Sequence, residues 1–207
     1  ESGRSLLVPK PFKYGLLVNA NGERFIAEDA YGLTIGHEIF QQSGQSAWLI
    51  LDATRFKAAW RLVMPWRPMI LRYRMRALMP LMFAWRRSRT LPGLARKCGI
   101  RATELQSTFD RYNENVRSKK DDWLGKLAAN IVPLGEGPYY AINCSPHSKG
   151  FPPTSLTLGG MLVDERSGQV RGTDRPVIEG LYAAGRAAVG LPSNFNVSGL
   201  SIADCVF

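Results

Sequence analysis

Glycine and proline cut this chain into short pieces, and that punctuation limits its possible folds more than any other feature. Twenty Gly and 13 Pro are spread over 207 residues without an internal repeat. No apolar run therefore approaches the ~20 residues that span a bilayer. What remains is a pattern of brief strands, tight turns and modest helices. Gly15-Leu16-Leu17-Val18-Asn19 and Glu23-Arg24-Phe25-Ile26 flank Ala20-Asn21-Gly22, and an Asn-Gly step favours the positive φ angles of a hairpin turn. Tyr31 to Gln42 carries Leu33, Ile35, Ile39 and Phe40 at helical spacing, and Ala47-Trp48-Leu49-Ile50-Leu51 is a continuous apolar strand ended by Asp52. A short helix is predicted from Thr90 to Gly99. A longer one runs from Thr103 to Ser118, with Thr103 as N-cap and Leu105, Phe109, Tyr112 and Val116 on one stripe.

The second half of the chain is more strongly punctuated. Gly137-Pro138 introduces the strand Tyr139-Tyr140-Ala141-Ile142. Gly159 to Asp164 and Gln169 to Arg171 flank the turn Glu165-Arg166-Ser167-Gly168 and read as a second hairpin. Pro176 to Gly185 is a strand that ends in small residues, and a loop from Val189 to Gly199 leads towards a helix starting near Ser198. Strand, glycine turn, loop and helix start can together aim backbone N–H groups at a polar or anionic ligand.

Composition narrows the setting. With 45% apolar residues and five Trp, nine Phe and seven Tyr, the chain can bury a real core. Cys98, Cys144 and Cys205 are odd in number and far apart, which suggests neither a disulfide framework nor a CxxC metal site and fits a reducing, cytoplasmic compartment. Their simplest reading is as buried small residues. His37 and His147 have no partners at metal spacing, so no metal site is predicted. The first residues lack the build of a signal peptide. Both ends read as cut, since the chain opens at Glu1 without Met and closes inside the apolar run Leu200 to Phe207.

The net charge of +10 comes from one segment. Between Ala53 and Thr103 lie 13 of the 27 basic residues and no Asp or Glu, which leaves 14 basic against 17 acidic residues elsewhere. Pro65, Pro68 and Pro80 allow this segment only short helices. Arg72, Arg74 and Arg76 stand among large apolar residues such as Met69, Leu71, Tyr73 and Met75. That mixture suits either a solvated arginine face over a core or peripheral contact with a membrane surface. A nucleic-acid binder is a further alternative that would leave the glycine motifs unexplained, and no nucleic acid is expected.

Three ordered motifs carry a family resemblance. Gly159-Gly160-Met161-Leu162-Val163-Asp164, then Gly180-Leu181-Tyr182-Ala183-Ala184-Gly185, then Asn196-Val197-Ser198-Gly199-Leu200-Ser201-Ile202-Ala203-Asp204 resemble the closing FAD-binding segment of the fumarate reductase and 3-ketosteroid dehydrogenase flavoproteins. The hairpin Gly15 to Phe25, Thr90 to Ala95, Arg111-Tyr112-Asn113 and Gly137 to Ile142 are similar to the same family's cap domain. The resemblance implies an α+β arrangement. Residues 1–12 would be a linker or remnant of the FAD domain, 13–145 a substrate-capping domain of hairpins and helices, and 146–207 the carboxy-terminal segment of an α/β FAD-binding domain. Nothing here reads G-x-G-x-x-G after a first strand, so the ADP half of FAD would fall to an amino-terminal part absent from this chain.

The same resemblance implies the chemistry and the site. FAD would exchange a hydride with a carbon–carbon bond beside a ketone, on a small hydrophobic substrate. Ala184, Gly185, Arg186, Ser198, Gly199, Leu200, Ser201 and Ile202 are implied as cofactor-binding, with backbone N–H groups of Gly199, Leu200 and Ser201 suited to the electron-rich edge of a reduced flavin. Ser198, Asn196 and Tyr140 are implied as catalytic. Ser198 matches a serine of steroid dehydrogenases acting on 5α-steroids, while Asn196 stands where those enzymes have a tyrosine. Leu156 stands where fumarate reductases place a His, which sets this chain apart from the dicarboxylate enzymes. Trp60 is aligned with an active-site tyrosine of relatives. Each of these residues also has a plainer role: Gly185 as a strand-end turn, Arg186 as a surface cation, Ser198 as a helix cap, His147 as a solvated loop residue, and Tyr139 and Tyr140 as alternating strand positions, one to the core and one to a cleft or solvent.

Overall fold

A computed structural model describes residues 13–63, 84–148, 160–174, 176–189, 200–203 and 205–206. The chain divides into two compact units, Glu1–Thr154 and Ser155–Phe207. Unit 1 is a four-stranded antiparallel sheet in the order β1-β2-β4-β3, built from β1 (Leu16–Val18), β2 (Trp48–Asp52), β3 (Trp85–Ser88) and β4 (Tyr139–Asn143). Its helices are α1 (Gly32–Gln41), α2 (Ala53–Val63), α3 (Leu91–Cys98) and α4 (Ala102–Arg117).

The continuous apolar run of β2 forms a strand because both of its faces are covered. Trp48 and Ile50 join a core with Leu94, Leu105, Phe109 and Tyr112 under α3 and α4. Leu49 and Leu51 join a second core with Ile39, Phe56 and Ala59 under α1 and α2. An alternating pattern would have left one face in water, whereas this strand leaves none. Tyr139 and Tyr140 lie on opposite faces of the sheet, Tyr139 partly buried against the α3–α4 core and Tyr140 against the α1–α2 core.

Local signals fix the helix ends in some places and mislead in others. The Thr90 side chain accepts from the Gly93 N–H, and Gly99 closes α3 in the left-handed conformation at φ 68°. In α4 the expected N-cap, Thr103, lies inside the helix; Arg101 holds the capping position without a side-chain bond. Leu105, Phe109 and Tyr112 form the predicted buried stripe. Asn113 is buried beside them because its amide donates to Leu134 O and accepts from Leu134 N–H, docking the loop that leads to β4. Asp52 closes β2 and caps α2 through Arg55 N–H at 2.8 Å, and it also accepts from Gly135 N–H at 2.9 Å and from the Arg55 guanidinium.

The first hairpin is shorter than its sequence suggests. Its turn is present, with Gly22 N–H donating to Asn19 O, but the returning arm contributes only the bridge between Val18 and Arg24. Arg24 leaves the sheet because its guanidinium enters a buried charge network. It donates to Glu28 at 2.8 Å and to Asp122 at 2.6 Å, and Lys126 reaches Glu28 at 3.0 Å. Two cations meet two carboxylates there, and none of the four side chains exposes more than 2% of its surface. The network also finishes the open edge of β1, since Glu28 accepts from Leu17 N–H and Lys126 donates to Gly15 O. Those backbone groups would otherwise be buried and unpaired.

Unit 2 is smaller. The hairpin predicted from Gly159 to Arg171 is a run of bridging contacts, with Asp164 N–H donating to Gln169 O and Arg171 N–H to Leu162 O. Its second strand, β5 (Gln169–Arg171), finds its main partner in β6 (Val177–Tyr182). No described helix is long and apolar enough to cross a membrane.

Burial alone would raise the Asp122 carboxyl, but the Arg24 guanidinium and the N–H groups of Lys126 and Leu124 hold it below the ordinary carboxylate range. Its stabilising contribution is therefore complete above about pH 4 and is lost as pH falls through the lowered folded value. Glu28→Gln should cost about 3 to 5 kcal/mol in denaturant unfolding, because Arg24 and Lys126 stay buried with one carboxylate between them. Glu114→Gln, which breaks an exposed pair with Arg117, should cost no more than about 1 kcal/mol. Equal losses would show that the buried network contributes nothing special.

Candidate functional site

In unit 2, β6 runs out into three small residues. Ala184 is extended at φ −145°, and Gly185 then turns at φ 60° to open a 3-10 turn, Gly185–Ala187. Gly185 is buried and Arg186 is exposed. The backbone here is engaged: Ala183 N–H donates to Gly168 O, and the Ala184 and Gly185 carbonyls accept from the Ala187 and Ala188 N–H groups. The turn is tied to the strand entering the unit. Met161 N–H donates to Ala187 O at 2.9 Å, and Val189 N–H donates to Met161 O at 2.9 Å. Gly160 is required at that crossing because an added Cβ would stand 2.7 Å from Ala187 O.

A short helix, α5 (Leu200–Ala203), packs against the 185–187 turn. The fold thus brings together two stretches that the sequence implied as cofactor-binding: Ala184, Gly185 and Arg186, and the backbone of Leu200, Ser201 and Ile202. Asn196, Ser198 and Gly199 lie outside the described residues, as do Leu156, Arg72, Arg74 and Arg76. Ile202 exposes 70% of its surface, so its backbone and not its side chain belongs to this cradle.

Tyr140 belongs to unit 1, in the middle of β4. Its ring stacks on Phe56 with centroids 3.9 Å apart and planes 7° from parallel, Trp85 closes in at 5.6 Å, and the Arg87 guanidinium lies 5.8 Å from its centre. Phe56 and Trp85 thus make its ring part of the α2-side core. Trp60 is half-buried in the same core. His147 is exposed and meets Gln45 at 3.2 Å. Of the cysteines, Cys144 is buried and its thiol is pushed up to about 12 by burial, Cys98 is half-buried, and Cys205 is exposed in place of the expected burial. Among the described residues no group of three His, Cys, Asp or Glu side chains is placed to hold a metal.

The opposite face of the sheet carries a groove of about 1130 Å³ lined by Phe109, Asp110, Asn113, Leu134, Glu136 and Tyr139 among others. Burial, and then Glu136, Asp110 and Asp52, raise the Tyr139 hydroxyl. Sequence reading picked out three of its lining stretches, Thr90 to Ala95, Arg111-Tyr112-Asn113 and Gly137 to Ile142, but did not join them into a groove, because they are far apart in the chain. Tyr139 faces it and Tyr140 faces away.

The sequence profile described as "FAD binding domain" matches residues 11–202. The chain belongs to that family, and FAD is the cofactor the membership assigns. The 3-oxo-5-alpha-steroid 4-dehydrogenase of Comamonas testosteroni is 35% identical over 186 residues, covering 88% of this chain and 34% of the relative. A cytochrome-linked fumarate reductase of Shewanella frigidimarina is 30% identical over 191 residues, covering 92% and 30%. Among solved structures, the 3-ketosteroid-Δ4-(5α)-dehydrogenase of Rhodococcus jostii RHA1 matches with a TM-score of 0.71 at 26% identity, over 96% of this chain and 38% of that one. A flavocytochrome c3 fumarate reductase matches with a TM-score of 0.57 at 26% identity, over 97% and 32%. The chain spans about a third of the length of these relatives.

Gly160→Ala should loosen unit 2 specifically. Hydrogen exchange at Met161 and Val189 N–H should accelerate, while the β2 and β4 amides of unit 1 keep their protection. Unchanged exchange at 161 and 189 would mean that the Ala187 carbonyl can move aside freely.

Proposed function

We propose that this chain is part of an FAD-dependent oxidoreductase that acts on a carbon–carbon bond beside a ketone, with a 3-ketosteroid as substrate. The observation that carries the reading is its 35% identity, over 186 residues, to a steroid 4-dehydrogenase. Leu156 agrees with it, since an apolar side chain at a position where fumarate reductases carry a His favours a hydrocarbon skeleton over a dicarboxylate.

When bound, FAD supplies hydride acceptance or donation at its N5 atom. The residues of this chain bind and orient. The small residues Ala184 and Gly185 and the exposed Arg186 would border the cofactor, and the N–H groups of Gly199, Leu200 and Ser201 are assigned to its electron-rich edge. Ser198 is assigned to the substrate, as a hydroxyl that donates to the ketone oxygen or hands on a proton. Asn196 cannot relay a proton as a phenol does, but its amide can donate a hydrogen bond. The hydroxyl of Tyr140 is the phenol of this chain proposed for proton transfer. Its ring is already held by Phe56, so Tyr140→Phe removes the hydroxyl while keeping the stack.

Unit 2 supports placement within a longer polypeptide. Leu162 and Tyr182 each expose 61% of their surface, and the side chains along β6 are exposed throughout. A two-stranded sheet with so much apolar surface in water is marginal by itself, whereas a chain three times as long has residues to cover it.

The test uses the flavin-loaded protein that contains this chain. Mixing it anaerobically with a saturated 3-ketosteroid should bleach the oxidised flavin. Ser198→Ala should slow that bleaching at least ~100-fold, as loss of a general acid-base group typically does, while lowering stability by only about 1 kcal/mol. A normal bleaching rate with a lowered thermal midpoint would make Ser198 a helix cap alone. Tyr140→Phe should slow bleaching with the thermal midpoint unchanged. If no 3-ketosteroid bleaches the flavin while fumarate rapidly reoxidises its reduced form, the steroid reading fails and the dicarboxylate reading takes its place.

A further inference from the structure

Strand β3 and helix α3 gather five cations that no carboxylate answers. Arg86 and Arg87 on the strand, Arg89 just beyond it, and Arg96 and Lys97 in the last turn of the helix are all exposed. Among the described residues, none of the five forms an ion pair. The fold fixes their positions. Among the described residues strand β3 pairs with β4 alone, on one of its two edges. Asn143 N–H donates to Ala84 O, and the alternation of an antiparallel ladder then turns the Trp85 and Arg87 carbonyls to the other edge. Arg86 donates to the first at 3.1 Å and Lys97 to the second at 2.7 Å. Arg87 lies over the Tyr140 ring, which is stacked on Phe56.

This surface discriminates among partners. Both edge carbonyls already hold a cation, which leaves no free acceptors there for an added strand. Among the described residues of unit 1 the large exposed apolar side chains are Phe40 and Leu127, neither of them on β3 or α3, so these two elements present no apolar wedge of their own to a bilayer. One face of Tyr140 is stacked on Phe56, and Trp85 meets both rings at tilted angles within the same cluster, so these aromatics are already engaged in core packing. What remains is a positive edge, about 12 to 14 Å along either element, with Arg86, Arg96 and Lys97 on the α3 side of the sheet and Arg87 on the α2 side, over Tyr140. We propose that the β3–α3 face is an electrostatic docking surface for an acidic protein, one that presents clustered Asp and Glu side chains. A patch of this size makes a small, transient interface, formed fast and weakened by salt.

A labelled deca-glutamate peptide serves as the acidic probe, with fluorescence anisotropy on the full 207-residue chain. Binding should weaken at least ~10-fold between low salt and the ionic strength at which the Debye length is about 8 Å. The triple change Arg87→Gln, Arg89→Gln, Arg96→Gln leaves Arg86 and Lys97 on their carbonyls and should weaken binding at least ~10-fold. Arg117→Gln, Lys119→Gln, Lys120→Gln removes three exposed cations elsewhere and should change it less than ~2-fold. Equal losses in the two triples, or loss through Arg72→Gln, Arg74→Gln, Arg76→Gln alone, would overturn the proposal. So would tighter binding, through the β3–α3 cations, of duplex DNA or of vesicles containing phosphatidylserine. Should the first triple fail to fold, hydrogen exchange on the unsubstituted chain decides: peptide-induced protection at 85–101 supports the face, and protection confined elsewhere refutes it.

Discussion

The sheet of unit 1 depends on how one strand edge is closed. Strand β1 is only three residues long and fully buried, so it cannot give its free N–H and C=O groups to water. The Arg24, Glu28, Asp122 and Lys126 network supplies the missing partners and balances its own charge in doing so. Tyr112 and Trp123 complete the enclosure, with the Arg24 guanidinium 5.2 and 4.7 Å from their ring centres. Because Tyr112 lies on α4 and donates to Val132 O, the same network fixes how α4 and the 120–135 loop sit over the sheet. A buried ion pair seldom adds much stability compared with an apolar replacement. Here its value is specific: a hydrocarbon side chain could fill the space but could not accept from Leu17 N–H or donate to Gly15 O.

Much of this architecture was legible in the sequence, and the failures share a cause. Helix α3 was readable because Thr90 and Gly99 act locally, through bonds within one turn. Strand β2 was readable because five successive apolar residues exclude a solvent-facing side. The returning arm of the first hairpin was not, since Arg24 answers to Asp122, 98 positions away, more than to its own strand. The burial of Asn113 was not legible either, since a polar residue beside an apolar stripe is buried here through its bonds to Leu134. Strand β3 reads as Trp-Arg-Arg-Ser, with no apolar alternation, and it exists because β4 offers it a ladder. In each case a long-range hydrogen bond outweighed the local preference.

The candidate site divides along the same line. The strand end at 183–185 could be read from sequence because Ala-Ala-Gly closing an apolar strand leaves a visible signature, and the turn opens at Gly185. Its contact with α5 also follows from the order of the motifs. The packing of Tyr140 could not be read, because alternation along β4 predicts two faces but not that helices cover both. Phe56 and Trp85 come from the segment whose cations dominate its composition, and their stacking on Tyr140 emerges only when that segment is folded beside β4.

The two edges of one sheet are closed by opposite means, and the difference separates stability from recognition. At β1 the closing charges are paired, balanced and dry, so they present no field outside and are little screened by salt. At β3 the closing charges are all positive and stand in water, where screening within about 8 Å at physiological ionic strength limits what they add to the fold. An unbalanced cluster of like charges repels itself, and the Arg86 and Lys97 bonds to edge carbonyls offset only part of that repulsion. The β3 edge therefore closes the sheet less economically than the β1 edge does, and it leaves a positive field that the β1 edge does not. That residual field is the physical difference on which recognition of an acidic partner can act.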